Sequence, residues 1–217
     1  MDNILITGTT SGLGKSLESI FAENGYSVTS MNRSMCDFSL LEEVKISINK
    51  ILHTVDNFKY VFLNAGTLGD LKPARYLDVE EQKEVFNINF WANKVIIDSI
   101  INADKCKTII AISSGAANKS YFGWSSYCCS KSALKQLLSC YTDENENMRF
   151  LSLAPGVVKT KMQDIIYMYD ENKIPSVKKF KDMYETMQTP EECAKKIFEN
   201  MSYLIGSNER FMDLREL

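Results

Sequence analysis

The segment Tyr127-Cys128-Cys129-Ser130-Lys131 lies within a helical pattern, where a spacing of four residues puts Tyr127 and Lys131 on one face. An isolated phenol titrates near about 10, too high for efficient proton exchange at neutral pH. A neighbouring ammonium favours the phenolate and is expected to lower that value. Such a pair can give a proton to a carbonyl under reduction, or take one from an alcohol under oxidation. Thirteen residues before Tyr127, an apolar run ends in Ser113-Ser114. A hydroxyl from that doublet is placed to hydrogen-bond an oxygen that gains negative charge, and spacing alone leaves open which of the two serines faces the pocket.

A second cluster opens the chain. The apolar run Asn3–Thr7 enters Gly8-Thr9-Thr10-Ser11-Gly12-Leu13-Gly14, and a helical stretch follows at about 13–24. Glycines let a backbone turn sharply and approach a ligand closely, and a helix start offers unpaired N–H groups and a positive dipole end. Between a strand and a helix this turn reads as a dinucleotide phosphate site, with Gly8, Thr10, Ser11, Gly12, Leu13 and Gly14 as candidate contacts. The next strand ends in Asn32-Arg33, where an acid would hold the ribose hydroxyls of NAD. A guanidinium suits a 2′-phosphate, so NADP(H) is favoured over NAD(H); the bland alternative is a solvated surface arginine.

Short apolar runs alternate with helical stretches along the whole chain. Strands are expected at Asn3–Thr7, Tyr26–Met31, Tyr60–Asn64, Thr108–Ser113, Met148–Leu153 and Arg210–Leu214. Helices are expected at about 40–53, Val79–Asn102, Ser126–Tyr141 and Glu191–Met201. This order predicts an α/β fold, a Rossmann-type doubly wound parallel sheet covered by helices on both faces, over a single domain of residues 1–217. Residues 161–189 mix methionines and tyrosines with charges, as an amphipathic insert covering a ligand would. Tyr121, Phe122 and Trp124, ahead of Tyr127, favour an apolar or aromatic carbonyl substrate.

Composition sets bounds on these readings. Apolar residues make up 45% and charged residues 24%, the balance of an ordinary globular protein. The net charge is −3 and Lys178, Lys179 and Lys181 form the densest basic stretch, so a nucleic-acid partner is not expected. No apolar run reaches membrane-spanning length and no secretory signal is read at the start, so no membrane partner is expected either. Six cysteines without paired spacing and one histidine, His53, argue for free thiols in a reducing cytoplasm and against a metal site.

In combination these features resemble the classical short-chain dehydrogenases/reductases. The matching motifs are TGTTSGLG at 7–14, LNAG at 63–66, Asn89, Ser114, YCCSK at 127–131 and APGVVKT at 154–160, in the family's order. The resemblance implies that Tyr127 is the catalytic acid/base, that Lys131 tunes it and bonds the nicotinamide ribose, and that Ser114 bonds the substrate oxygen. It implies that Asn89 holds a water linking Lys131 to solvent, and that Asn64, Ala65 and Gly66 line the adenosine side. Asp37 matches the acid that meets the adenine amine, and Pro155, Gly156, Val158 and Thr160 match the segment holding the nicotinamide carboxamide; Thr160 is equally readable as a helix N-cap.

Three departures from the family stand out. Only three residues separate Arg33 from Asp37, where the family places a helix and a strand, so the second strand is expected near a sheet edge. Leu63 replaces the first residue of the family's NNAG motif, and RFMDLREL lacks its usual glycine pair. The long helix carries apolar residues on more than one face, including Phe86, Phe90 and Trp91, which together with the resemblance implies a homodimer or homotetramer. The expected activity is NADP(H)-dependent hydride transfer between a nicotinamide and a carbonyl or alcohol; the alternative is a catalytically silent NADP-binding scaffold of the same fold.

Overall fold

A computed structural model describes all 217 residues. Six parallel strands form one sheet in the order β2-β1-β3-β4-β5-β6. They are β1 (Asn3–Thr7), β2 (Ser27–Met31), β3 (Tyr60–Leu63), β4 (Thr108–Ile112), β5 (Arg149–Ala154) and β6 (Phe211–Asp213). The register is continuous through the centre: Leu5 pairs with Val61, Val61 with Ile109, and Ile109 with Phe150.

Alternation within these apolar strands builds two cores. Leu5, Val61, Leu63, Ile109, Ala111 and Phe150 face one side, and Ile4, Ile6, Phe62, Ile110, Leu151 and Leu153 the other, all essentially without solvent contact. The first side is covered by α2 (Leu41–Thr54), α4 (Ala92–Ala103) and α5 (Ser125–Glu144), the second by α1 (Gly12–Glu23) and α8 (Pro190–Glu199). Burial on both faces is why the strands read as unbroken apolar runs. Thr189 opens α8 with a reciprocal capping box to Glu192, and Pro190 occupies the first turn, where a missing N–H costs nothing.

The strand β2 lies at the sheet edge, as the short spacing between Arg33 and Asp37 predicts. In place of a further helix and strand, the loop after it buries Cys36 and Phe38 against α2, which crosses to β3. The predicted helix over Val79–Asn102 is interrupted: α3 (Val79–Phe86) passes through a π-helical turn at Asn87–Trp91 before α4 begins. The wider turn rotates the following residues, and Asn89 at its centre is fully buried. On the same helical run Trp91 stays 43% exposed and Phe86 and Phe90 half-buried, an apolar strip the single chain leaves uncovered.

The segment 161–189 folds as α6 (Lys161–Met168), a short turn and α7 (Lys178–Asp182). Ile166, Ile174, Val177, Phe180 and Met187 from it form a third apolar cluster with Leu68, Leu71, Trp124 and Tyr127. A helix the periodicity did not predict, α9 (Met201–Gly206), follows α8 and buries Met201 and Leu204. No helix is long and apolar enough to cross a membrane, and all six cysteines are free thiols.

Candidate active site

The carboxyl ends of β1, β3, β4 and β5 converge where the strand order reverses between β1 and β3, the place where such sheets bind ligands. At the end of β1 the chain turns through Gly8 (φ 74°) and Gly12 (φ 59°) into α1. The turn is held from below. Thr7 Oγ1 accepts from the backbone N–H groups of Asn64 and Ala65, both at 2.9 Å, and Asn64 Nδ2 donates to the carbonyls of Thr7 and Gly8 at 3.0 and 3.2 Å. Ser11 makes no side-chain cap and α1 has no acid in its first turn, so its N–H groups and dipole are left for an anion. Gly12 faces Thr160, whose Cγ2 lies 3.2 Å from where a Cβ at residue 12 would sit. Thr160 does occupy the N-cap position of α6, but its hydroxyl caps nothing.

At the end of β2, Asn32 Nδ2 donates to Thr9 Oγ1 at 3.1 Å, tying this strand to the turn. Arg33 is exposed and in no ion pair or hydrogen bond of the chain. The Asp37 carboxylate accepts from the Ser39 backbone and hydroxyl, both at 2.8 Å, which holds its pKa below the usual range. The uncapped glycine turn, the unpaired Arg33 guanidinium and the Asp37 carboxylate held by Ser39 are groups that could hold the phosphates and adenosine of a nicotinamide dinucleotide.

At the end of β4, Ser114 rather than Ser113 stands with Tyr127. Ser113 Oγ is buried without a partner, whereas Ser114 Oγ accepts from the Ala116 N–H at 3.1 Å and acts on the Tyr127 phenol. Tyr127 and Lys131 are 7% and 4% exposed on α5, and Lys131 Nζ lies 5.8 Å from the tyrosine ring centroid. Lys131 donates to the Ile112 carbonyl at 2.9 Å. Gly66 leaves room for it: a Cβ there would fall 3.2 Å from Asn89 Oδ1 and 3.5 Å from Lys131 Nζ.

The expected lowering of the Tyr127 pKa is not what this arrangement produces. Burial pushes the phenol up to about 12, against the opposing pull of Ser114. Burial also pulls the Lys131 ammonium down to about 8. Helical spacing predicts adjacency, but desolvation of both groups outweighs their mutual effect. Tyr127 therefore holds its proton throughout the neutral range, the state a proton donor needs.

Asn89 is fixed on three sides. Its Nδ2 donates to the Thr67 carbonyl (2.8 Å) and to Ser130 Oγ (3.0 Å), and its Oδ1 accepts from the Thr67 N–H (2.8 Å). Ser130 in turn donates to the Tyr127 carbonyl at 2.9 Å. Thr7 and Ser130 are therefore supporting residues that sequence reasoning did not single out, although both lie inside the quoted motifs. On the far side, Gln188 Nε2 donates to the Pro155 carbonyl at 2.6 Å, and Val158 makes a parallel bridge to Gln188. Nothing in the sequence signals Gln188.

A model of the short chain dehydrogenase family matches residues 34–168, more than half of the chain. The protein belongs to that family. It is an oxidoreductase of the short chain dehydrogenase type, acting on carbonyl or alcohol groups with a nicotinamide cofactor. Among its relatives is a benzil reductase ((S)-benzoin forming) of Bacillus subtilis (strain 168), 27% identical over 86% of each chain. The fold is shared with the KRED1-Pglu enzyme, with a TM-score of 0.83, 23% identity and coverage of 98% of this chain and 100% of that one. It is also shared with a short chain dehydrogenase of Shigella flexneri 2a str. 301 complexed with NADP, with a TM-score of 0.78, 18% identity and coverage of 99% and 97%.

The phosphate turn of this dehydrogenase yields a sharp test. A Cβ on Gly14 would sit 2.2 Å from the Gly8 carbonyl oxygen and 2.4 Å from Asn64 Nδ2. The first neighbour is backbone and cannot swing aside, so Gly14→Ala is expected to cost about 3 kcal/mol and to abolish dinucleotide binding. Gly206, within α9, has nothing within 4 Å of its Cβ position, so Gly206→Ala is expected to be neutral or stabilising. Urea melts of both variants, with a fluorescence titration of NADPH, check this pair. Equal midpoints would contradict it.

Proposed function

We propose that the protein is an NADPH-dependent carbonyl reductase in which Tyr127 donates the proton to the reduced oxygen. The observation that carries this reading is the buried Tyr127 phenol, flanked by Ser114 and Lys131 where the third apolar cluster meets the strand ends. A bound nicotinamide supplies the hydride. The chain supplies the rest. Ser114 and Tyr127 hydroxyls hydrogen-bond the substrate oxygen and stabilise the charge that develops there. The Lys131 ammonium adds a positive charge one helical turn away, and Asn89, clamped by Thr67 and Ser130, lies near it across Gly66.

The cofactor reading extends over the rest of the site. Gly8, Thr10, Ser11, Gly12, Leu13 and Gly14 receive the diphosphate, Asn32 and Arg33 the 2′-phosphate, and Asp37 the adenine amine. Pro155, Gly156, Val158 and Thr160 orient the nicotinamide end, and Asn64, Ala65 and Gly66 line the adenosine side. Arg33, which has no ion partner in the chain, is the reason for NADPH over NADH. In a tryptophan fluorescence titration NADPH is expected to bind at least about tenfold more tightly than NADH, as one charge-assisted contact allows, and Arg33→Ala is expected to erase the difference. Tighter NADH binding by the parent would reverse the assignment.

The substrate side is apolar. Trp124 stacks on Phe180 with ring centroids 5.0 Å apart, and Tyr121 packs edge-on against Phe180 at 5.6 Å. This aromatic cluster beside Tyr127 suits an aryl ketone, in keeping with the name of the benzil reductase relative. NADPH consumption across a panel of aryl and alkyl carbonyl compounds tests the reading. Turnover is expected with the aryl members; none on any member would exclude a carbonyl reductase.

A further inference from the structure

We propose that Gln188 is a positioning residue that ties the loop at 155–160 to the segment packed beside Tyr127, so that the nicotinamide seat and the substrate cover are held as one unit. The proposal rests on the reading of that loop as the nicotinamide side of a dinucleotide site, and it adds a residue outside the family's motifs. The segment 161–189 leaves the loop at Thr160, where α6 begins, and returns to it at Gln188. Its two ends are fastened side by side. Gln188 Nε2 donates to the Pro155 carbonyl at 2.6 Å, the Gln188 carbonyl accepts from the Lys159 N–H at 2.9 Å, and Val158 bridges to Gln188 in parallel.

The neighbours of these bonds show what Gln188 connects. Met187 and Val157 both pack in the third apolar cluster with Tyr127 and Trp124. Val158 belongs to the core under α1 and α8, and Thr189 caps α8. Loop and returning segment thus each send one side chain to the Tyr127 cluster, and a core helix anchors the returning end. Gly156 is the point of closest approach. It takes φ 84°, and a Cβ there would lie 3.2 Å from Gln188 Nε2. The bare glycine lets the amide lie across the loop and reach the carbonyl just before it. The other donor at that carbonyl is the Cys193 thiol at 3.8 Å, a weak one. The cover is also bonded on its far side: Trp124 Nε1 donates to Ser176 Oγ at 2.8 Å, and the Leu71 N–H to the Tyr169 hydroxyl at 3.1 Å.

A neutral amide bonded to a backbone carbonyl moves no proton and carries no charge to the reacting oxygen. What Gln188 controls is where the loop sits. Hydride transfer is steep in distance and angle, so a loosened loop costs rate. It costs little binding, because the glycine turn, Arg33 and Asp37 lie on other elements.

The test reads the cofactor ring as well as the reaction. Reduced nicotinamide is fluorescent, and its emission lifetime lengthens when the ring is held still. Gln188→Met keeps the side-chain length and the backbone bonds and removes the donor. It is expected to shorten the lifetime of bound NADPH towards the free value. It is also expected to lower kcat for propiophenone about tenfold or more, with the Kd for NADPH within about threefold of the parent. Glu185→Gln breaks only the ion pair from the same segment to Lys159 and is expected to match the parent in both readouts. Should urea melts show Gln188→Met unfolded, Gln188→Glu, of the same shape without the donor, carries the same expectations. A parent lifetime or a parent kcat in the folded variant, or equal losses in Glu185→Gln, overturns the proposal. If the parent holds NADPH with a long lifetime but reduces no carbonyl, the reductase reading fails by itself, and the lifetimes alone decide the role of Gln188.

Discussion

Replacement of Tyr127 by Phe is expected to lower kcat for carbonyl reduction by about a thousandfold, the range a positioned general acid contributes. The change removes one oxygen atom and little else. The ring keeps its packing, 6.1 Å from Trp124 in the third cluster, so the fold and the cleft walls remain. Cofactor affinity changes by at most about one hydrogen bond, roughly 1 kcal/mol. The loss therefore appears in kcat at saturating NADPH rather than in binding. Ser114 alone cannot replace the donor, because its hydroxyl stabilises an oxyanion without giving up a proton of suitable acidity. Steady-state rates for parent and variant on the same aryl ketone decide the matter. A variant within tenfold of the parent would remove Tyr127 from the chemistry.

Much of this architecture was legible in the residues themselves. The division of Ile4 and Ile6 from Leu5 between two cores follows from strand period alone, and the glycine turn announces itself because few other residues take φ 74° and 59°. The edge position of β2 was readable from a count of residues between Arg33 and Asp37. What was not legible depends on contacts distant in sequence. The π turn at Asn87–Trp91 surrounds an asparagine whose partners are Thr67 and Ser130, and no local pattern encodes them. The direction of the Tyr127 shift is hidden from the sequence for a related reason: helical spacing shows that Lys131 is adjacent, but not that both groups are shut away from water.

Lys131→Met is expected to abolish reduction and at the same time to stabilise the protein. Burial takes the ammonium from its ordinary 10.5 to about 8. Each unit of such a shift corresponds to about 1.4 kcal/mol, so keeping the charge at pH 7 costs the fold on the order of 3 kcal/mol. The bond to the Ile112 carbonyl returns about 1 kcal/mol, and methionine loses that bond while filling similar space. A net gain of about 2 kcal/mol at pH 7 follows for the variant, measured by urea unfolding without added cofactor. The pH dependence identifies the cause. The folded-state value lies below the unfolded one, so between pH 8 and 10.5 the unfolded parent binds more protons and parent stability rises. The advantage of the variant is therefore complete below pH 8 and gone by 10.5. Cys106 and Cys193, whose thiols burial pushes up to about 11 and about 12, titrate alike in both proteins and cancel from the difference. The same titration governs parent activity: reduction needs the ammonium charged and the phenol protonated, so the rate falls as pH rises through about 8, well before Tyr127 ionises. A variant less stable than the parent at pH 7, or an advantage that persists undiminished at pH 10.5, would show that Lys131 is not held at the site against its own solvation.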